Sequence, residues 1–257
     1  MTKSSLDSCT ELVVVCCHAI YNTNAHDPWD EASWLLKPFQ KSDRDSLKIS
    51  EHFTFISHIQ AAAESLRRPD TYVIFSGGAT DPTNPWTESG SYAGAFMDLY
   101  PDEFSVMRGD RWGLESNATD SYQNLLFSIV EFRKRLGRYP DTITVITHAF
   151  KSNRFLQLHG PAIRWPQNRL RVLGINPPFS RPEFEQVQQA EHENAFALFR
   201  TDPYGIGPQL DGKRCDRGWS GSKVRGIANG LERSVRNLLL HGCLEDTSHE
   251  DRLPWEL

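Results

Sequence analysis

Leu12-Val13-Val14-Val15-Cys16-Cys17 is an unbroken apolar run with a β-branched centre, and His18 follows it directly. A run this short and continuous suits a strand buried on both faces, which is how the interior of a parallel sheet reads. Three more such runs occur. Thr71-Tyr72-Val73-Ile74-Phe75 leads into Ser76-Gly77-Gly78, Thr142-Ile143-Thr144-Val145-Ile146 into Thr147-His148, and Leu170-Arg171-Val172-Leu173-Gly174-Ile175 into Asn176-Pro177-Pro178. A shorter strand is expected around Phe104-Ser105-Val106-Met107. Between the runs, apolar residues recur at three- and four-residue spacing, as in Phe53, Ile56, Ile59, Ala63 and Leu66. That spacing predicts helices over 50–66, 89–100, 118–136, 151–159, 182–198 and 223–240. Strands alternating with helices predict an α/β fold in three layers, α/β/α, around a mostly parallel sheet.

The chain has 257 residues, 39% of them hydrophobic and 24% charged, enough for one elaborated domain with a full core. We read it as a single domain over 1–257, with a motif-bearing core over about 12–180. A helical and loop elaboration follows over 181–242, then a loose acidic tail over 243–257. The stretches 21–46 and 201–221 read as long irregular loops of the kind that cover sites. Net charge is −5, with Lys and Arg scattered rather than striped, which argues against a nucleic-acid partner. The first apolar run is too short for a signal sequence or a membrane span, so the expected address is cytoplasmic, with no membrane partner. The five cysteines have no repeated spacing and no CxxC or HExxH occurs, which points away from a disulfide framework and from a motif-built metal centre. On a strand, adjacent Cys16 and Cys17 point to opposite faces.

Ligands of open parallel sheets bind outside the strand carboxyl ends. The polar residues expected there define the candidate site. His18, His148 and Glu115 are the candidates for general acid–base work. Ser76, Gly77 and Gly78 form a tight turn whose bare N–H groups suit an anion. Lys151 and Arg154 open a helix straight after a strand, where a ligand phosphate or carboxylate would rationalise two cations. Glu88 precedes another helix and is suited to hydroxyl binding, while Thr147, Ser121 and Asn124 complete the ligand-binding set, with Asn124 expected to orient Glu115. Three readings follow. One is a small enzyme acting on a nucleotide-like or phosphorylated ligand, one a non-catalytic metabolite sensor with the same pocket, and one a metal-assisted hydrolase using Glu88, Glu115, His18 and His148.

Taken in order, Ser76-Gly77-Gly78, Glu88 with Ala93 and Ala95, the stretch from Glu115 to Asn124, and Ile146-Thr147-His148 through Arg154 resemble the motifs of the YdcF/SanA/ElyC-like family, defined by a domain of unknown function. The resemblance covers roughly residues 12–175. It implies a Rossmann-like fold and makes S-adenosylmethionine, or another nucleotide, the cofactor or ligand to expect, in a member without the membrane anchor. The sequence departs from the family pattern at several places. Cys17-His18-Ala19 replaces a Gly-rich turn, Ala118 and Asp120 replace a Ser and an Asn, and Lys151 stands where the family has His.

Overall fold

A computed structural model describes residues 5–101, 111–242 and 252–256. Five parallel strands form the central sheet: β1 (Glu11–Cys16), β4 (Thr71–Ser76), β5 (Trp112–Glu115), β6 (Thr142–Thr147) and β7 (Leu170–Gly174). Their spatial order is β5-β4-β1-β6-β7. Two short antiparallel strands, β2 (Ile20–Tyr21) and β3 (Trp34–Leu35), pair outside this sheet.

Alternation along the strands builds both cores. Leu12, Val14 and Cys16 face one layer with Tyr72 and Ile74, whereas Val13, Val15 and Cys17 face the other with Val73 and Phe75. The expected split of Cys16 from Cys17 is therefore observed. Both thiols are buried, and Cys215 is exposed. On one side pack α1 (His52–Ser65) and α2 (Glu88–Leu99). On the other side packs α3 (Ser121–Leu136), which Asp120 caps at its start and left-handed Gly137 ends. The chain is thus a Rossmann-like α/β/α three-layer fold.

After β6, a 3-10 turn (Ala149–Lys151) runs into a π-helical segment (Arg154–His159) that continues as Gly160–Ala162. Beyond β7 come α4 (Arg181–Glu191), a π segment (His192–Phe196) and a last helical piece (Ala197–Thr201). Three more helices follow: α5 (Pro208–Asp216), α6 (Gly221–Ala228) and α7 (Arg233–His241).

Four sequence expectations need correction. The strand Trp112–Glu115 ends at Glu115, a position the sequence placed in the loop beyond a strand at Phe104–Met107, and that expected strand lies outside the described residues. The 201–221 stretch holds α5, started by Pro208 in a first-turn position where a missing N–H is harmless. The helix expected over 223–240 breaks in two around Gly230, which has φ +76°. The tail is not loose throughout, because Leu253 and Trp255 are buried and the Trp255 indole N–H donates to the Ile163 carbonyl at 2.8 Å.

Candidate functional site

The strand order reverses direction between β1 and β6, because the chain moves from β1 outward to β4 and β5 and then returns to β6. Loops leaving two such central strands part at the switch point, and it is there that ligands of doubly wound sheets bind. His18 lies just past β1, and Thr147, His148, Lys151 and Arg154 lie at and just past β6. The sheet therefore brings five of the predicted residues together.

His18 is the hinge of this group. Its ring stands 4.4 Å from that of His148 and 5.7 Å from that of His58, with His58 and His148 5.2 Å apart. Lys151 Nζ is 3.4 Å from His18 Nδ1, and Thr147 Oγ1 is 3.4 Å from His18 Nε2. An ammonium can only donate. His18 Nδ1 therefore accepts from Lys151, and the ring proton sits on Nε2 facing Thr147. Burial, reinforced by the Lys151 charge, holds His18 and His148 well below the usual imidazole range. Burial likewise brings His58 down to about 4 and Lys151 down to about 8. Three imidazoles thus cluster together, one of them 3.4 Å from the Lys151 ammonium. Glu51, from the start of α1, approaches His148 Nε2 at 3.9 Å.

Arg154 is nine-tenths buried, and its Nε has no hydrogen-bond partner. Its counter-ion is Glu191, 3.3 Å from Nε, but the contact misses hydrogen-bond geometry and leaves Glu191 Oε1 unpartnered as well. Burial, chiefly, pushes the Arg154 and Lys151 pKa values down, with Glu191 opposing it at Arg154 and the Arg154 charge adding to it at Lys151.

The Ser76-Gly77-Gly78 turn takes a different role from the expected one. Gly77 N–H donates to Glu115 O at 2.9 Å and Gly78 N–H to Ala118 O at 2.7 Å, so neither N–H faces a ligand. The glycines serve close approach. A Cβ on Gly77 would lie 2.8 Å from Glu88 Oε2, and one on Gly78 would lie 2.9 Å from Ala118 O. Ser76 Oγ donates to Glu115 Oε2 at 2.7 Å, and Asn124 Nδ2 donates to Ser76 Oγ at 2.9 Å. Asn124 therefore orients Glu115 through Ser76. The other Glu115 oxygen accepts from Asn117 N–H at 2.6 Å. Glu115 is thus a buried clamp on its loop, and burial raises its pKa to about 7. Glu88, at the first turn of α2, accepts from Thr80 Oγ1 and is raised by burial to about 7. Ser121 begins α3, with Oγ 2.7 Å from His159 Nε2.

Both long connections reach the strand ends. Gln40 Nε2 donates to His18 O at 3.2 Å. Arg217 NH1 donates to Thr119 O at 2.8 Å, and Arg214 pairs with Asp120. Sequence reasoning missed His58, Glu51, Glu191 and His159, which sit among helical spacing patterns without a motif around them. Separately, a cleft of about 320 Å³ opens beside β5, lined by Leu114, Glu115, Phe127, Lys134 and Ile227 among others, and shares only Glu115 with the predicted set. Among the described residues no group of three or more His, Cys, Asp or Glu side chains is arranged to hold a metal. No helix among them is long and apolar enough to cross a membrane.

Fold and site define a Rossmann-like α/β protein with a buried cluster of histidines, Lys151 and Arg154 at its switch point. The chain is 28% identical over 262 residues to Uncharacterized protein YOR238W of Saccharomyces cerevisiae, covering 82% of this chain and 84% of that one. No family model matches the chain, and no solved structure matches it.

Proposed function

We propose that this chain binds a small anionic ligand, nucleotide-like or phosphorylated, at the carboxyl ends of β1 and β6, and acts on it as a small enzyme. The observation that carries the reading is Arg154, a buried guanidinium whose Nε lacks a hydrogen bond despite Glu191 at 3.3 Å, close in the chain to a second buried cation, Lys151. A phosphate or carboxylate seated there satisfies the guanidinium and neutralises the excess charge. S-adenosylmethionine qualifies through its carboxylate and nucleoside. Lys151 donates to His18 across 3.4 Å and supplies the acid–base step, with Thr147 holding the His18 ring.

A thermal-shift screen of nucleotides, sugar phosphates and S-adenosylmethionine tests the reading. A true ligand at 100 times its Kd raises stability by about 2.7 kcal/mol. Arg154→Met keeps the apolar stem and removes the charge, so it loses that shift, by roughly 1.5–3 kcal/mol of binding. An unchanged ligand shift in a folded Arg154→Met protein overturns the reading. A second reading, a non-catalytic sensor, draws on Glu115, whose oxygens are already engaged by Ser76 and the Asn117 N–H. Turnover of the bound ligand, followed by mass spectrometry, decides between the two: conversion excludes the sensor, and unchanged ligand excludes the enzyme.

A further inference from the structure

Ser121 and His159 form a polar pair that the acid–base group above does not use. His159 is fully buried, with its ring edge-on to Phe155, Phe199 and Tyr122. Its Nε2 meets Ser121 Oγ at 2.7 Å, and its Nδ1 has no partner. The two tautomers are not equivalent. If Nε2 accepted the serine proton, Nδ1 would carry a buried N–H with nothing to receive it. If Nε2–H donates, Nδ1 keeps only an unused lone pair among aromatic edges, which is the cheaper deficit. With Nε2–H donating, the Ser121 hydroxyl hydrogen is turned away from His159.

Arg154 opens the π-helical segment that His159 closes, one wide turn away, and its charge adds to burial in lowering the His159 pKa. Wide helical turns of this kind recur at functional sites. Ser121 is half-buried at the first position of the 16-residue α3, directly after its cap Asp120, whose carboxylate accepts from Gln123 N–H and pairs with Arg214.

We infer that Ser121 donates its hydroxyl to the anionic group held by Arg154, and that His159 is a positioning residue fixing the hydroxyl in that orientation. This rests on the reading above and adds a phosphate subsite between the start of α3 and the π segment. His159 is not the base of a nucleophilic serine, because burial together with Arg154 and Arg214 keeps it neutral and weakly basic.

Calorimetric titration of the full chain with inorganic phosphate tests it. Ser121→Ala should weaken binding about tenfold or more. His159→Phe, which preserves the aromatic packing, should weaken it several-fold, and His159→Gln, whose amide nitrogen restores the donor, should recover it. The Ser121→Ala/His159→Phe double variant should bind no worse than Ser121→Ala alone. Wild-type affinity in Ser121→Ala, with binding lost in Arg154→Met, overturns this inference and leaves the anion site standing. Wild-type affinity in His159→Phe, or simple additivity in the double variant, overturns the positioning role. Undiminished binding in Arg154→Met overturns the anion site and this subsite together. If His159→Phe does not fold, Ser121→Ala and His159→Gln still decide.

Discussion

Glu115 combines a structural duty with a titration. Its pKa stands near 7 in the folded chain against an ordinary 4.5, chiefly through burial. The folded state therefore binds its proton more tightly than the unfolded state does. Its contribution to stability is largest below 4.5, falls as pH rises from 4.5 to 7, and is flat above that. His18, His58 and His148 act in the opposite sense. Their depressed values make stability full above 6.5 and progressively lost as pH falls below it. Comparing wild type with Glu115→Gln isolates the carboxyl. The difference in urea unfolding free energy should decline between about pH 5 and 7 by a few kcal/mol at most, at ~1.4 kcal/mol per pKa unit. A pH-independent difference would refute the assignment. At this scale the sequence showed residues that end strands, since Ser76, Thr147 and His148 each close a strand or follow one directly. It hid His58 and His159, because a histidine on an apolar helix face looks like core until the fold supplies its neighbours.

Among the elements, the four long apolar strands were legible because continuous β-branched runs have few other uses. Trp112–Glu115 was not, since four residues containing Gly113 carry no strand pattern; the Tyr72 hydroxyl lies where a Gly113 Cβ would come within 2.8 Å. Helix α5 was obscured by the glycines around it, although Pro208 marks its start. The segment carrying Lys151 depends on a comparable close approach. A Cβ on Gly174 would sit 2.5 Å from Ala149 Cα and 3.1 Å from Ser152 Oγ. Gly174→Ala must therefore push the 149–151 turn off the end of β7. We expect a loss of roughly 1–3 kcal/mol in thermal unfolding, with weaker ligand binding in the protein that still folds. Full stability with unchanged binding would show that the turn adjusts freely.

Over the whole molecule, alternation of strand and helix foretold three layers but not the strand order, which depends on contacts between residues distant in sequence. The C-terminal segment shows this most plainly. An acidic stretch read as loose, yet Trp255 packs against Tyr139 and Trp165, and its carbonyl accepts from Arg169 at 3.0 Å. Trp255→Ala should destabilise the chain by about 3–5 kcal/mol, visible as a lowered Tm, whereas a loose tail would leave Tm unchanged. The split of the two strand cysteines between opposite cores has a practical consequence. With Cys9, Cys16 and Cys17 all shielded, Cys215 on α5 is the described thiol open to reagents, and the adjacent Arg214 is tied to Asp120 at the start of α3. In a Cys243→Ser background, a maleimide dye attached there becomes an optical reporter one residue from the Arg214–Asp120 pair at the start of α3, usable before any substrate is known.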